Sequence, residues 1–91
     1  MTTAAAPRVT LDQVNAKIKS ETYTRLPNLR TTVCQLTLQN GFTVEGQSAC
    51  VSLANFDAEI GNKFAREDAV RKIWQLEGYL LAERLFQGEP G

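Results

Sequence analysis

Apolar residues recur every three or four positions through residues 55–86, with charged residues between them. This spacing matches the 3.6-residue period of an α-helix and predicts one long helix, with Ser52 or Asn55 as its N-cap and Gly61 or Gly78 as the position of any kink. At ~1.5 Å per residue the helix would be roughly 45 Å long, whereas a compact domain of this size has a radius of gyration of about 12 Å. We therefore expect the helix to extend beyond what its own domain can cover.

The apolar residues of this helix form two lines. The first line consists of Ala65, Ala69, Ile73, Leu76 and Leu80. The second line consists of Val70, Trp74, Leu81 and Leu85. The first can pack on the rest of the chain, and the second would then stay exposed as an apolar patch that is unusual on a soluble monomer. The pattern therefore predicts a homo-oligomer whose interface is the second line, most simply about a two-fold axis.

Apolar and polar residues alternate on both sides of Asn40-Gly41, which predicts a β-hairpin. A two-residue loop would mix the apolar and polar faces. A three-residue loop over residues 39–41 places Leu36 opposite Val44, puts the apolar faces on the same side, and has a glycine at its third position, where a left-handed residue is needed. We predict the three-residue loop, with Phe42 also on the face that meets the long helix.

The chain before the hairpin contains one helix signal. Thr10 and Gln13 have the spacing of a capping box, and Leu11, Val14 and Ile18 would share one face of a short helix.

Residues 21–30 read as a connection, because Pro27 disfavours helix and Asn28 favours a turn. Arginine matches phosphate oxygens and tyrosine can stack on a base, so this connection and the start of the long helix offer side chains for an anionic, aromatic ligand. The alternative is a surface connection whose tyrosine packs at the edge of the core. The candidate ligand-binding residues are Tyr23, Arg25, Arg30, Asn55, Lys63 and Arg66.

The predicted fold class is α+β: a short N-terminal helix, a β-hairpin forming a small antiparallel sheet, and a long C-terminal helix that mediates oligomerisation. We expect a single domain over residues 10–86, with flexible tails at residues 1–9 and 87–91.

The composition of the chain argues against several classes of function. The chain has 91 residues, and ten basic residues balance ten acidic ones, so we expect neither nucleic acid nor a membrane as a partner. There is no histidine, which removes the commonest general base and zinc ligand. In the hairpin register Cys50 would lie roughly 13 Å from Cys34, too far for a disulfide, so both thiols should be free. We expect no enzyme activity, no catalytic residues, no metal and no cofactor.

Several short motifs then occur together along residues 40–66. They are Asn40-Gly41-Phe42, Val44, Gly46, Ser48-Ala49-Cys50-Val51, Asn55-Phe56-Asp57, Gly61 and Ala65-Arg66. This combination resembles a family of small, mostly uncharacterised proteins of tailed bacteriophages. The resemblance implies expression in an infected bacterium, and hence the host cytoplasm, but it brings no activity or catalytic residues.

Two functions fit these expectations. The first is an oligomeric binder that sequesters a host nucleotide-type defence signal, by analogy with other small phage proteins that act against host defence. The second is a protein–protein interaction module that binds and redirects a host enzyme or regulator through an exposed helix face or sheet edge.

Overall fold

The computed structural model describes residues 7–88 and has one antiparallel sheet with two helices on the same face. The helices and strands are α1 (Leu11–Ala16), β1 (Ile18–Arg25), β2 (Thr31–Leu38), β3 (Thr43–Ala49), a short 3-10 helix (Leu53–Asn55) and α2 (Ala58–Phe86). The strand order is β1-β2-β3. This confirms the α+β class. The sequence predicts flexible tails at residues 1–9 and 87–91. Residues 1–6 and 89–91 of these tails lie outside the described residues.

The β2–β3 hairpin has the predicted register. Leu36 pairs with Val44, the Leu38 amide donates to the Phe42 carbonyl over 2.8 Å, and Gly41 has a φ of +90°. The three-residue loop is confirmed. Phe42 lies on the predicted face, opposite Leu38 and lining one pocket with Leu76 and Leu80 of α2, but its side chain stays 56% exposed at the end of the sheet.

The interpretation of residues 21–30 as a connection is wrong for its first half. Residues 21–25 belong to β1, which pairs antiparallel with β2 and forms one edge of the sheet. Most of the strand is polar and exposed, so its stability comes from the hydrogen-bond ladder with β2 and from Tyr23, which packs against the core. The turn follows at residues 26–30, where Asn28 Oδ1 accepts from the amides of Arg30 and Thr31 over 2.9 and 3.0 Å.

The capping box of α1 is confirmed. Gln13 donates its amide to Thr10 Oγ1 over 3.2 Å, and its side chain accepts from the Thr10 amide over 2.9 Å. Val14 is fully buried, but Leu11 is exposed and Ile18 begins β1. The predicted three-residue face is therefore wrong for Ile18, because the helix ends after six residues, whereas Leu11 lies in the helix but is not buried.

The long helix is confirmed as one continuous element through Gly61 and Gly78, but it starts three residues later than predicted. Asp57 is its N-cap, with Oδ1 accepting from the Glu59 and Ile60 amides over 3.0 and 3.2 Å. Ser52 caps the preceding 3-10 helix instead. A carboxylate at this position satisfies two backbone donors and complements the helix dipole.

α2 packs closely on β2 and β3 through small residues. Ala65, Ala69 and Ile73 are fully buried against Cys34 and Leu36. The remainder of the first line, Leu76 and Leu80, lines a pocket with Leu38 and Phe42 at the end of the hairpin and is about two-fifths exposed.

Close approach of helix and sheet depends on Gly46. A Cβ built on this residue would lie 2.1 Å from the Ala69 backbone nitrogen and 2.4 Å from the Ala65 carbonyl oxygen. The glycine therefore sets the distance between the two layers.

The end of α2 extends past the sheet. Its 29 residues span roughly 44 Å at 1.5 Å each, whereas an eight-residue strand spans roughly 26 Å. The molecule is accordingly elongated, at 56 × 27 × 19 Å with a radius of gyration of 16.7 Å. Leu85 and Phe86 at the far end are 47% and 83% exposed.

Candidate functional site

A pocket lies at the end of the sheet where α2 begins. Its walls come from the start of β2, the end of β3, the 3-10 helix and the first two turns of α2, and its volume is about 80 Å³. The lining includes Arg30, Thr32, Ser48, Asn55, Phe56 and Phe64. The pocket thus combines a guanidinium, two hydroxyls, an amide and two aromatic rings with one carboxylate, that of Asp57.

Three of the six predicted ligand residues meet at this pocket. Arg30 and Asn55 line it, and Arg25 lies over the ring of the wall residue Phe56, with its Cζ 3.7 Å from the ring centroid. Arg25 reaches this position because it pairs with Thr32 across the β1–β2 ladder. Residues distant in sequence are therefore brought together by strand pairing.

Backbone carbonyls orient both arginines. Arg25 Nε donates to the Leu29 carbonyl over 3.0 Å, and Arg30 Nη1 donates to the Val51 carbonyl over 3.3 Å. The Arg30 backbone is fixed in turn, because its carbonyl accepts from the Cys50 amide over 3.0 Å. Each guanidinium has five N–H donors, so these bonds leave donors for an anionic ligand.

The expectation that Asn55 stands at an anion-receptive helix start is wrong. α2 begins at Ala58, and the Asp57 carboxylate already occupies its first amides. Asn55 contributes to the pocket as a lining residue of the 3-10 helix. Attraction of an anion to this site therefore depends on Arg25 and Arg30.

Tyr23 and Arg66 belong to a neighbouring cluster centred on Glu21. Tyr23 Oη donates to Glu21 Oε1 over 2.7 Å, and Arg66 Nε donates to Glu21 Oε2 over 3.1 Å. The hydrogen bond from Tyr23, followed by that from Arg66, lowers the pKa of Glu21. Burial and the bond to Glu21 raise the pKa of Tyr23, so the phenol stays protonated at neutral pH. Glu21 offsets the Arg66 charge, which sequence reasoning missed because it placed Glu21 in a loop.

The two clusters adjoin along β1. Tyr23 and Arg25 lie two residues apart on the same face of the strand, roughly 7 Å at strand rise. A ligand larger than the pocket could contact both. Lys63, the sixth predicted residue, does not line the pocket, although its Nζ lies 6.0 Å from the ring centroid of the wall residue Phe64.

The predicted oligomer interface divides into two parts. Val70 and Trp74 line a groove of about 380 Å³ between α1 and α2, together with Leu11, and Trp74 is 37% exposed. Leu81 is half-buried and Leu85 is exposed farther along α2. The helix thus presents apolar surface on both sides of its midpoint.

Residues 7–88 have neither of two other features, a metal site and a membrane-spanning helix. No cluster of three or more histidine, cysteine, aspartate or glutamate side chains in this part of the chain is arranged to hold a metal ion. None of its helices has the length and apolar character needed to cross a membrane.

Comparison with known proteins identifies one family. The family model described as "Phage protein (N4 Gp49/phage Sf6 gene 66) family" matches residues 9–85, which include α1, all three strands and α2 up to its penultimate residue. No curated protein and no solved structure matched the chain.

Proposed function

The chain belongs to the N4 Gp49/phage Sf6 gene 66 family of phage proteins, and we propose that it is a non-enzymatic, oligomeric binder that sequesters a nucleotide-type defence signal in the cytoplasm of the infected host. The observation that supports this most is the pocket at the start of α2, where Arg30 and two aromatic rings meet and Arg25 adjoins.

The chemistry of the pocket suits a nucleotide. The free N–H groups of Arg25 and Arg30 match phosphate oxygens. Phe56 and Phe64 offer ring faces for a base. The Thr32 and Ser48 hydroxyls line the same pocket and can bond ribose or base edges.

We infer from the small size of the pocket that a second copy completes it. Sites for small molecules usually enclose about 300–1,000 Å³, and this pocket has about 80 Å³. One chain could therefore hold only part of a nucleotide. Wall residues from a neighbouring copy would enclose the rest.

The exposed apolar surface of α2 supplies a reason to self-associate. Burying one large apolar side chain contributes roughly 1.5–3 kcal/mol, and Val70, Trp74 and Leu11 line one open groove. We propose that α2 pairs with α2 of another copy along this surface about a two-fold axis.

A second function is favoured by a different part of α2. The far end of α2 exposes Leu85 and Phe86, with the exposed Tyr79 beside the hairpin, which is the arrangement by which a helix enters a groove on another protein. In this alternative the phage protein binds and redirects a host enzyme or regulator, and the apolar end of α2 is the contact.

Thermal denaturation with a panel of linear and cyclic nucleotides tests the first proposal. A nucleotide present at 100 times its dissociation constant should add about 2.7 kcal/mol of stability. We expect Arg30→Ala to abolish the shift and Arg84→Ala, an exposed arginine at the far end of α2, to retain it. If no nucleotide shifts the transition of the intact chain, the ligand proposal is wrong and the protein–protein alternative is favoured.

Sedimentation velocity tests the α2 interface separately. We expect Trp74→Glu to lower the mass of the assembly, because a carboxylate would be buried in the apolar contact. Gln75→Glu adds the same charge at the next, exposed position and should leave the mass unchanged. An intact chain that sediments as a folded monomer at micromolar concentration would contradict self-association.

A further inference from the structure

The two edges of the sheet differ in what covers them. In β2 and β3 the pairs that exchange hydrogen bonds include Leu38–Phe42 and Arg30–Cys50. Because such pairs alternate along an antiparallel ladder, the amide of Gln47 in β3 points away from the sheet. Asp68 of α2 accepts this amide at Oδ2 over 2.9 Å.

Asp68 is itself held in place. Arg71 Nη2 donates to Asp68 Oδ1 over 2.7 Å, and the bonds from the Gln47 amide and from Arg71 lower the pKa of the Asp68 carboxyl. A further strand could pair with β3 only by displacing this charged side chain. The β3 edge is therefore protected against strand addition.

The β1 edge has no equivalent cover. The Leu26 amide donates to the Thr31 carbonyl over 2.8 Å, which sets the alternation of the β1–β2 ladder. The backbone groups of Glu21, Tyr23 and Arg25 consequently point away from the sheet. Within residues 7–88, no hydrogen bond from another element reaches these backbone groups. The strand has eight residues and no proline, and its one register irregularity lies between Ile18 and Ser20, so residues 21–25 are free of both obstacles to pairing.

The sequence of β1 is complementary to itself. In an antiparallel pair of two β1 strands centred on Tyr23, Glu21 of each copy stands opposite Arg25 of the other copy. The two tyrosines face each other at the centre, and Thr22 faces Thr24. Opposite charges and paired threonines are the cross-strand neighbours that stabilise antiparallel sheets.

We propose that β1 pairs with β1 of a second copy in this register, which joins two three-stranded sheets into one of six strands. The occupant is a second copy rather than a foreign peptide because the charges complement each other only in the homotypic pair. This contact uses a different surface from the α2 groove. Two such two-fold contacts build a closed complex with an even number of copies, at least four, where their axes intersect, and an open filament where they do not.

The β1 pairing would also bring side chains of the second copy towards the ligand site, a consequence that rests on the proposed function. Directly opposite residues point to the same face of a sheet, so Tyr23 and Arg25 of the second copy would lie beside Glu21 and the Arg66 bonded to it. The pocket lies at the Arg25 end of β1, where the second copy would place its Glu21, with the Arg66 bonded to it, next to Arg25.

A charge swap tests the register without ligand. Arg25→Glu places Glu opposite Glu twice in the pair, and we expect about a tenfold rise in the dissociation constant of the β1 contact. The double variant Glu21→Arg with Arg25→Glu restores opposite charges and should restore the assembly. Glu45→Arg on the protected β3 edge is the control and should leave the dissociation constant of the β1 contact unchanged.

Sedimentation velocity in the Trp74→Glu background isolates the β1 contact. In that background we expect a dimer, which Arg25→Glu converts to a monomer.

Failure of rescue by the folded double variant would overturn the register, and a monomer in the Trp74→Glu background would overturn the contact. If the double variant does not fold, hydrogen exchange on the intact chain decides. The amides of Glu21, Tyr23 and Arg25 should be protected above the dissociation constant and exchange rapidly on dilution. Rapid exchange at all concentrations would refute the β1 contact while leaving the nucleotide shift of the proposed function untouched.

Discussion

Substitution of Gly46 by alanine tests the packing of α2 on the sheet. The new Cβ would lie 2.1 Å from the Ala69 nitrogen, 2.4 Å from the Ala65 oxygen and 2.7 Å from the Asp68 carbonyl carbon, whereas ordinary contacts begin at 3.4 Å. All three atoms are helix backbone, so no side-chain rotation can relieve the clash. The helix must move away from the sheet by roughly 1 Å, which is enough to forfeit a quarter to a half of the dispersion energy across the contact.

The expected cost is large for a domain of this size. Overpacking usually costs about 1–3 kcal/mol, and the backbone contact places Gly46→Ala at or above the upper end of that range. A chain of this length has roughly 5–14 kcal/mol of stability in total. We therefore expect a loss of about 3 kcal/mol or more, and a fall in Tm of about 12 °C or more.

Urea denaturation followed by circular dichroism measures the effect, and Gly78→Ala is the matched control. A Cβ on Gly78 meets nothing within 4 Å, so the control should raise the free energy of unfolding by about 0.8–1 kcal/mol through helix propensity alone. If Gly46→Ala is as stable as the natural chain while Gly78→Ala behaves as expected, the close approach of α2 to β3 is wrong.

Two further predictions concern single side chains. The pKa of Asp68 is lowered in the folded state, so the ionised carboxylate stabilises the fold fully above its usual pKa of 3.8 and loses this effect as pH falls through the lower folded value. The stability advantage of the natural chain over Asp68→Asn should therefore vanish in that pH window. An advantage that is independent of pH would contradict the ion-pair account. Cys34 is buried and its thiol has a raised pKa, whereas Cys50 is partly exposed. A thiol reagent added to the native protein should therefore modify Cys50 first. Equal labelling rates for the two cysteines would contradict the burial of Cys34.

The elements with strong periodic patterns could be predicted from the sequence. The register of the hairpin followed from matching Leu36 with Val44 and from the glycine of the loop, because only one loop length satisfies both. The course of α2 followed from its apolar period. Both cysteines are free, as expected from the same register.

β1 could not be predicted, since its two apolar residues, Ile18 and Tyr23, give no period. An edge strand exposes most of its side chains, and its stability comes from a ladder that depends on the position of β2. α2 begins three residues later than predicted because of a local hydrogen-bonding arrangement. Asp57 satisfies two amides at once, and Asn55 is left in the 3-10 helix.

The candidate site was predicted in part. Arg25, Arg30 and Asn55 meet at the pocket because strand pairing brings them there. The role of Glu21 in binding Arg66 depends on a contact across 45 positions of sequence, which no local pattern reports. The aromatic wall residues Phe56 and Phe64 were read only as apolar positions of the helix.

Native mass spectrometry of the intact chain with and without a panel of nucleotides tests the central claim most directly, because one spectrum reports both copy number and ligand. We expect an assembly with an even number of copies that retains an added nucleotide, and loss of that nucleotide without loss of the assembly in Arg30→Ala. A folded monomer that retains no nucleotide at micromolar concentration would contradict the account.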